Sequence, residues 1–172
     1  MFRLMGAGLL LLGTVGYSFC CCREMRARLG CLCEMKRMYE LLHSQVGYCR
    51  ADFPEACRMV ASCVEAPFAQ MLRDMAAEAD RNTGRTFPQI WETQTESCFP
   101  QLPLKKEDKA LLTEFARSLG YADRCLQEQA IDNQSAALHE RIRELETHRA
   151  EREKMVMSFG LMGGLLLVIV LL

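Results

Sequence analysis

The last eighteen residues, Met155–Leu172, carry no charge and one hydroxyl, Ser158. At about 1.5 Å of rise per residue a helix of that length spans roughly 27 Å, close to the ~30 Å hydrocarbon core of a bilayer. From Ala122 onward the chain reads as one continuous helix that starts in a soluble bundle, crosses a polar stalk and ends inside the membrane. Nothing follows the apolar run, so the expectation is a protein held at a membrane by its end, with no hydrophilic domain on the far side.

Leu4–Cys22 is a second uncharged apolar run, of nineteen residues, preceded by Arg3. A cleaved signal peptide is one reading of it. However, the run ends in Tyr17-Ser18-Phe19-Cys20, which offers neither a small-x-small cleavage site nor the small residue that a lipoprotein signal places before its cysteine. A retained transmembrane helix over 4–22 is the reading preferred here. Orientation follows from the flanking cations. Arg23, Arg26, Arg28, Lys36 and Arg37 follow the first run, and Arg141, Arg143, Arg149, Arg152 and Lys154 precede the second, against Arg3 alone on the other side. The expected topology is a cytosolic central domain with both termini at the outer face. The formal net charge of −1 gives no basic field for nucleic acid. Ten cysteines fit thiols kept reduced in the cytosol. Cys31, Cys57, Cys63 and Cys125 fall at or beside apolar helix positions, where a thiol acts as a small hydrophobe.

Between the runs, apolar residues recur at three and four, the spacing of one helix face. Met25, Leu29, Leu32, Met35, Tyr39, Leu42 and Val46 draw the first stripe, which Gly47 ends. Asp52 is positioned to cap a second helix, with Glu55 as its capping-box partner and Pro54 in the first turn. Phe53, Ala56, Val60 and Cys63 form its inward face. Ala66-Pro67 opens a third helix lined by Phe68, Leu72, Met75 and Ala79, and Asn82-Thr83-Gly84 is its turn signal. A fourth starts near Thr86 and buries Ile90, Trp91 and Cys98. Phe99–Pro103 reads as an irregular connector. A fifth covers Leu104–Leu119, with Leu111, Leu112, Phe115 and Leu119 inward and Gly120 as its stop. Asp123 suits the first turn of the sixth, which buries Leu126, Ala130, Leu138, Ile142 and Leu145. Short connectors favour antiparallel neighbours, so the expected fold is all-α: a six-helix bundle over 23–145, a polar helical stalk over 146–154 and membrane helices at 4–22 and 155–172.

No arrangement of residues points to catalysis. His43, His139 and His148 are scattered, Cys31-x-Cys33 and Cys20–Cys22 lack structural-zinc spacing, and there is neither a phosphate-cradling loop nor a nucleophile elbow. No enzyme activity, cofactor or metal is expected. Interaction is the better use of two features. Gly160, Gly163 and Gly164 would let another membrane helix approach closely. The junction Leu119-Gly120…Asp123-Arg124…Gln127 has a structural account for Gly120 and Asp123 as stop and cap, and none for Gln127.

At those residues, and over nearly its full length, the chain resembles the stage III sporulation protein AB family. The resemblance is carried by the apolar N-terminal run, by Leu119–Gln127 and by the ending Glu153-Lys154-Met155-Val156…Ser158-Phe159-Gly160…Gly163-Gly164-Leu165-Leu166-Leu167. The family is similar to the inner-membrane platform proteins of type II secretion and type IV pilus systems, whose cytosolic domains are six-helix bundles. Resemblance implies a platform in the channel between mother cell and forespore, in the mother-cell membrane around the forespore. Its implied partners are the cytosolic ATPase stage III sporulation protein AA and other membrane proteins of the complex, with Gly120, Asp123, Arg124 and Gln127 as candidate partner-binding residues. Two alternatives stand beside it. One is a membrane tether that self-associates through its long C-terminal helix, although the apolar register fades after Leu145. The other is a small membrane enzyme or redox sensor using its thiols.

Overall fold

The computed structural model describes residues 2–49, 51–81, 84–118, 125–126 and 129–148; the side chains of residues 2–12, 14–15, 17–19, 21 and 117–118 are not described. Among the described residues every regular element is helical and no strand occurs. Helix α1 is Phe2–Gly47, a single run of 46 residues. It is followed by α2 (Phe53–Val60), α3 (Phe68–Asp80), α4 (Phe87–Cys98), a 3₁₀ turn (Phe99–Gln101) and α5 (Lys106–Ser118). Residues 129–148 form α6. The chain divides into two compact units, one joining Met1–Leu29 with Arg143–Leu172 and the other comprising Gly30–Ile142. In the first, α1 runs without a break past the boundary between Cys22 and Arg23, and the Thr147 hydroxyl donates to the Arg143 carbonyl at 2.9 Å.

The second unit is where the apolar stripes meet. Consecutive helices α2 to α5 pack as neighbours because the connectors between them are too short for any other pairing. Leu32, Met35, Met38, Tyr39, Leu42 and Val46 of α1 are buried, as are Leu72 and Met75 of α3, Ile90 and Trp91 of α4, Leu112 and Phe115 of α5 and Ile131 and Leu138 of α6. Each large apolar side chain taken fully from water contributes about 1.5–3 kcal/mol. Trp91 is the centre of an aromatic cluster, edge-on to Phe115 at 4.9 Å and stacked with Tyr39 at 6.5 Å. Its indole N–H donates to the Leu112 carbonyl at 2.9 Å, so the ring is buried without leaving its polar atom unsatisfied. Between α2 and α3 the chain is tied back to α1 by the Glu65 amide, which donates to the Glu34 carboxylate at 2.8 Å.

Several expectations are corrected. Asp52 occupies the N-cap of α2 in extended conformation but makes no side-chain capping bond. Pro54 at the second helical position has no N–H, as Pro88 has none in α4, so at both helices one of the two amides that a cap can reach is missing. At α4, by contrast, the Gln89 side chain does accept from the Thr86 N–H at 3.0 Å. Cys63 is exposed because α2 ends at Val60 and helical spacing no longer applies three residues later. Leu126 is exposed, 42% of its surface facing solvent. It lies ahead of α6, whose described residues begin at 129, so it is not on the buried stripe that Ile131 begins. Leu111 is only half-buried, displaced by the neighbouring Leu112, and Cys125 is exposed. The connector Phe99–Pro103 is partly regular, holding the 3₁₀ turn. Leu119 lies outside the described residues, as do most of the stalk (149–154) and the run 155–172. Among the described residues no helix is long and apolar enough to cross a membrane.

Candidate functional site

All four residues expected to bind a partner, Gly120, Asp123, Arg124 and Gln127, lie outside the described residues, and so do Gly160, Gly163 and Gly164. What is described is the frame around that first junction: α5 up to Ser118, and helical Cys125 and Leu126, both exposed. Near the same end of the unit, His43 faces Asp132 at 3.4 Å and stands edge-on to Tyr48 at 6.4 Å. Tyr48 is 83% exposed.

The opposite end is organised by a polar arrangement that sequence reasoning missed. Asp108 is fully buried at the third position of α5. One carboxylate oxygen accepts from the Lys105 amide at 3.0 Å, closing the first turn, and the other accepts from Arg141 Nε at 3.2 Å. A second guanidinium nitrogen of Arg141 bonds the exposed Glu107 carboxylate. One arginine on α6 thereby clamps two consecutive carboxylates at the start of α5. A buried charge is tolerated only when paired and hydrogen-bonded, and Asp108 has both kinds of partner. The signal was available in Lys105-x-x-Asp108, a cap-to-third-position spacing. Placing the helix start at Leu104 obscured it.

Thiols gather at this end too. Burial above all, then the proximity of the Cys98 thiol and of the Asp108 carboxylate, pushes the Cys31 thiol up to about 12. Burial raises Cys98 as well, and it takes Cys57 up to about 12 against a small opposing effect of Arg58. A thiol held protonated at neutral pH is a poor nucleophile and a poor metal ligand. The arrangement suits these three for packing and does not favour the redox-sensor alternative. Among the described residues no group of three or more His, Cys, Asp or Glu side chains is placed to hold a metal ion. Lys36 donates to the His139 ring at 3.4 Å, so two of the three histidines contact charged side chains across the α1–α6 seam. The Tyr39 hydroxyl is buried with no hydrogen-bond partner among the described residues, and burial raises its pKa.

Among the described residues this geometry joins helices and presents surfaces. Residues 3–172 match the stage III sporulation protein AB family. Stage III sporulation protein AB of Bacillus subtilis (strain 168) is 23% identical over 172 residues, the whole of both chains. A solved structure of stage III sporulation protein AB matches with a TM-score of 0.67 at 18% identity, covering 73% of this chain and 98% of that one. At such identity the structural likeness speaks for the fold.

Proposed function

The chain belongs to the stage III sporulation protein AB family, and on that premise we propose that it is a non-enzymatic membrane platform of the sporulation channel between mother cell and forespore. Its helical unit is the cytosolic part, and the apolar runs at 4–22 and 155–172 are the membrane anchors. The unit recruits the cytosolic ATPase, stage III sporulation protein AA, and the membrane helices contact other membrane proteins of the complex. The observation that carries this reading is the family match over 3–172, which takes in both apolar runs as well as the helical unit. Basic flanks on the inner side of both runs support the orientation. A helical scaffold with its charged chemistry used for internal clamps supports a binding role over a catalytic one.

The test has two arms. Membrane fractions washed with alkaline carbonate should retain the full chain, which would be released if the apolar runs were not anchors. Pull-down of the ATPase should then be weakened by substitutions at the junction, Asp123→Arg with Gln127→Ala, while membrane retention is unchanged. Full ATPase binding by that variant would remove the junction from the reading, and full binding by charge-reversal variants across every exposed face would remove the platform role.

A further inference from the structure

Within the Gly30–Ile142 unit, Lys36 meets His139 at 3.4 Å and His43 meets Asp132 at 3.4 Å, each pair joining α1 to α6. The two helices therefore run antiparallel, and that register sets Gln129, the first described residue of α6, level with Val46 near the end of α1. Tyr48 stands two residues beyond Val46, and Leu126 three residues ahead of Gln129. Two side chains far apart in sequence thus come to one end of the unit, and both are left in solvent, Tyr48 by 83% and Leu126 by 42%. Among the described residues the other large apolar side chain so exposed is Met59, at the far end of α2.

The backbone that carries Tyr48 is held. Its amide donates to the Ser44 carbonyl at 3.1 Å, the Cys49 amide donates to the same carbonyl at 3.4 Å, and the Ala51 amide donates to Gln45 at 3.2 Å. The Tyr48 ring stands edge-on to His43 at 6.4 Å, and Asp132 holds that imidazole in turn. An aromatic ring on fixed backbone gives up little freedom on binding, which suits it to anchor an interface. Size and charge narrow the occupant. The two side chains offer on the order of 200 Å² of apolar surface, against about 800 Å² per partner in a stable complex. A symmetric contact between two copies through these residues alone would bury too little. The unit holds seventeen Asp and Glu against thirteen Lys and Arg, which disfavours an anionic leaflet or nucleic acid. Adjoining residues have to complete the area, and Leu126 lies inside the Leu119–Gln127 junction that the proposed function gives to the ATPase. We propose that Tyr48 and Leu126 are the apolar anchors of that docking, entering an apolar pocket of the ATPase while the junction supplies the polar remainder. The proposal rests on the platform reading and adds which side chains carry its affinity.

The purified full chain in detergent is oxidised by hydroxyl radicals with and without the ATPase, and is separately titrated with it. Oxidation of Tyr48 and Leu126 should fall about fivefold in the complex while that of Met59 is unchanged; this arm needs no variant. Tyr48→Ala should weaken binding about thirtyfold and Leu126→Ala about fivefold, with helical circular dichroism unchanged. Tyr48→Phe keeps the ring and should stay within about threefold. Unchanged oxidation at both residues, with Tyr48→Ala binding at full strength while Asp123→Arg/Gln127→Ala still weakens it, would overturn the anchors and leave the platform reading standing. No binding of the unsubstituted chain to the ATPase would overturn both. A Tyr48→Ala chain whose oligomer mass falls in the absence of the ATPase would assign this end to a second copy and overturn the proposal.

Discussion

Helix α5 is held on two sides by different physics. Toward α4 the seam is apolar and aromatic: Trp91 meets Phe115 at 4.9 Å, and its indole N–H reaches the Leu112 carbonyl. Toward α6 the seam at the start of α5 is ionic, with Arg141 clamping Asp108 and Glu107. The aromatic seam takes most of its energy from surface removed from water, which is insensitive to salt and tolerant of small shifts. The ionic seam gains little net energy over a neutral core but penalises any arrangement that leaves Asp108 buried and alone. One seam supplies stability, and the other specifies how α6 lies against α5.

That contrast can be broken from either side. The largest effect is expected at Trp91. Trp91→Ala should lower unfolding stability by about 3–5 kcal/mol in urea denaturation of the full chain. Trp91→Phe should recover most of that and leave the loss of the Leu112 bond, about 1 kcal/mol. Equal losses for the two variants would mean that the hydrogen bond, not the ring, dominates. Next comes the clamp. Asp108→Ala should cost about 2–3 kcal/mol, since Arg141 is a quarter exposed and can be partly rehydrated. Asp108→Ala with Arg141→Met should cost less than Asp108→Ala alone, and additivity in that double-mutant cycle would deny the clamp. The smallest effect sharpens the comparison through pH. Cys57 ionises near 9 when unfolded and at about 12 when folded. The unfolded chain therefore binds fewer protons between those values, and the stability contributed by the buried thiol, complete below pH 9, is lost as pH rises toward 12. Cys57→Ala should flatten the fall in stability between pH 8 and 10 by on the order of 1 kcal/mol. A fall of unchanged steepness would show that this thiol is not buried in solution.

The aromatic seam was legible in the chain and the ionic one was not. Helix spacing alone puts Leu32, Met35, Tyr39, Leu42 and Val46 on one face, and the same rule singles out Ile90, Trp91, Leu112 and Phe115, all buried. Met38 obeys the same spacing and was passed over. The rule failed where a helix end was misjudged. Cys63 lies beyond the end of α2, and Leu126 lies ahead of the described residues of α6, so neither sits on the stripe the spacing assigns it. Asp52 and Thr86 look equivalent as caps and share an extended backbone (φ −69°, ψ 152° and φ −75°, ψ 153°), yet only at α4 does the third helical residue, Gln89, accept a bond from the cap's N–H. At the candidate site, the junction Gly120–Gln127 lies outside the described residues, so its part in partner binding rests on resemblance.

The amino-acid order by itself determined the helical class, the punctuation at Gly47, Thr86 and Gly84, and the two apolar runs, because each is a property of neighbours within a few turns. Only the tertiary structure decided that Asp108 is the buried partner of Arg141, thirty-three residues on, and that the lysines beside it are left facing outward. A single carboxylate in a charged stretch reads as solvated until the chain has reversed and brought the other helix against it. Burial and pairing are settled by that packing and have no period to read.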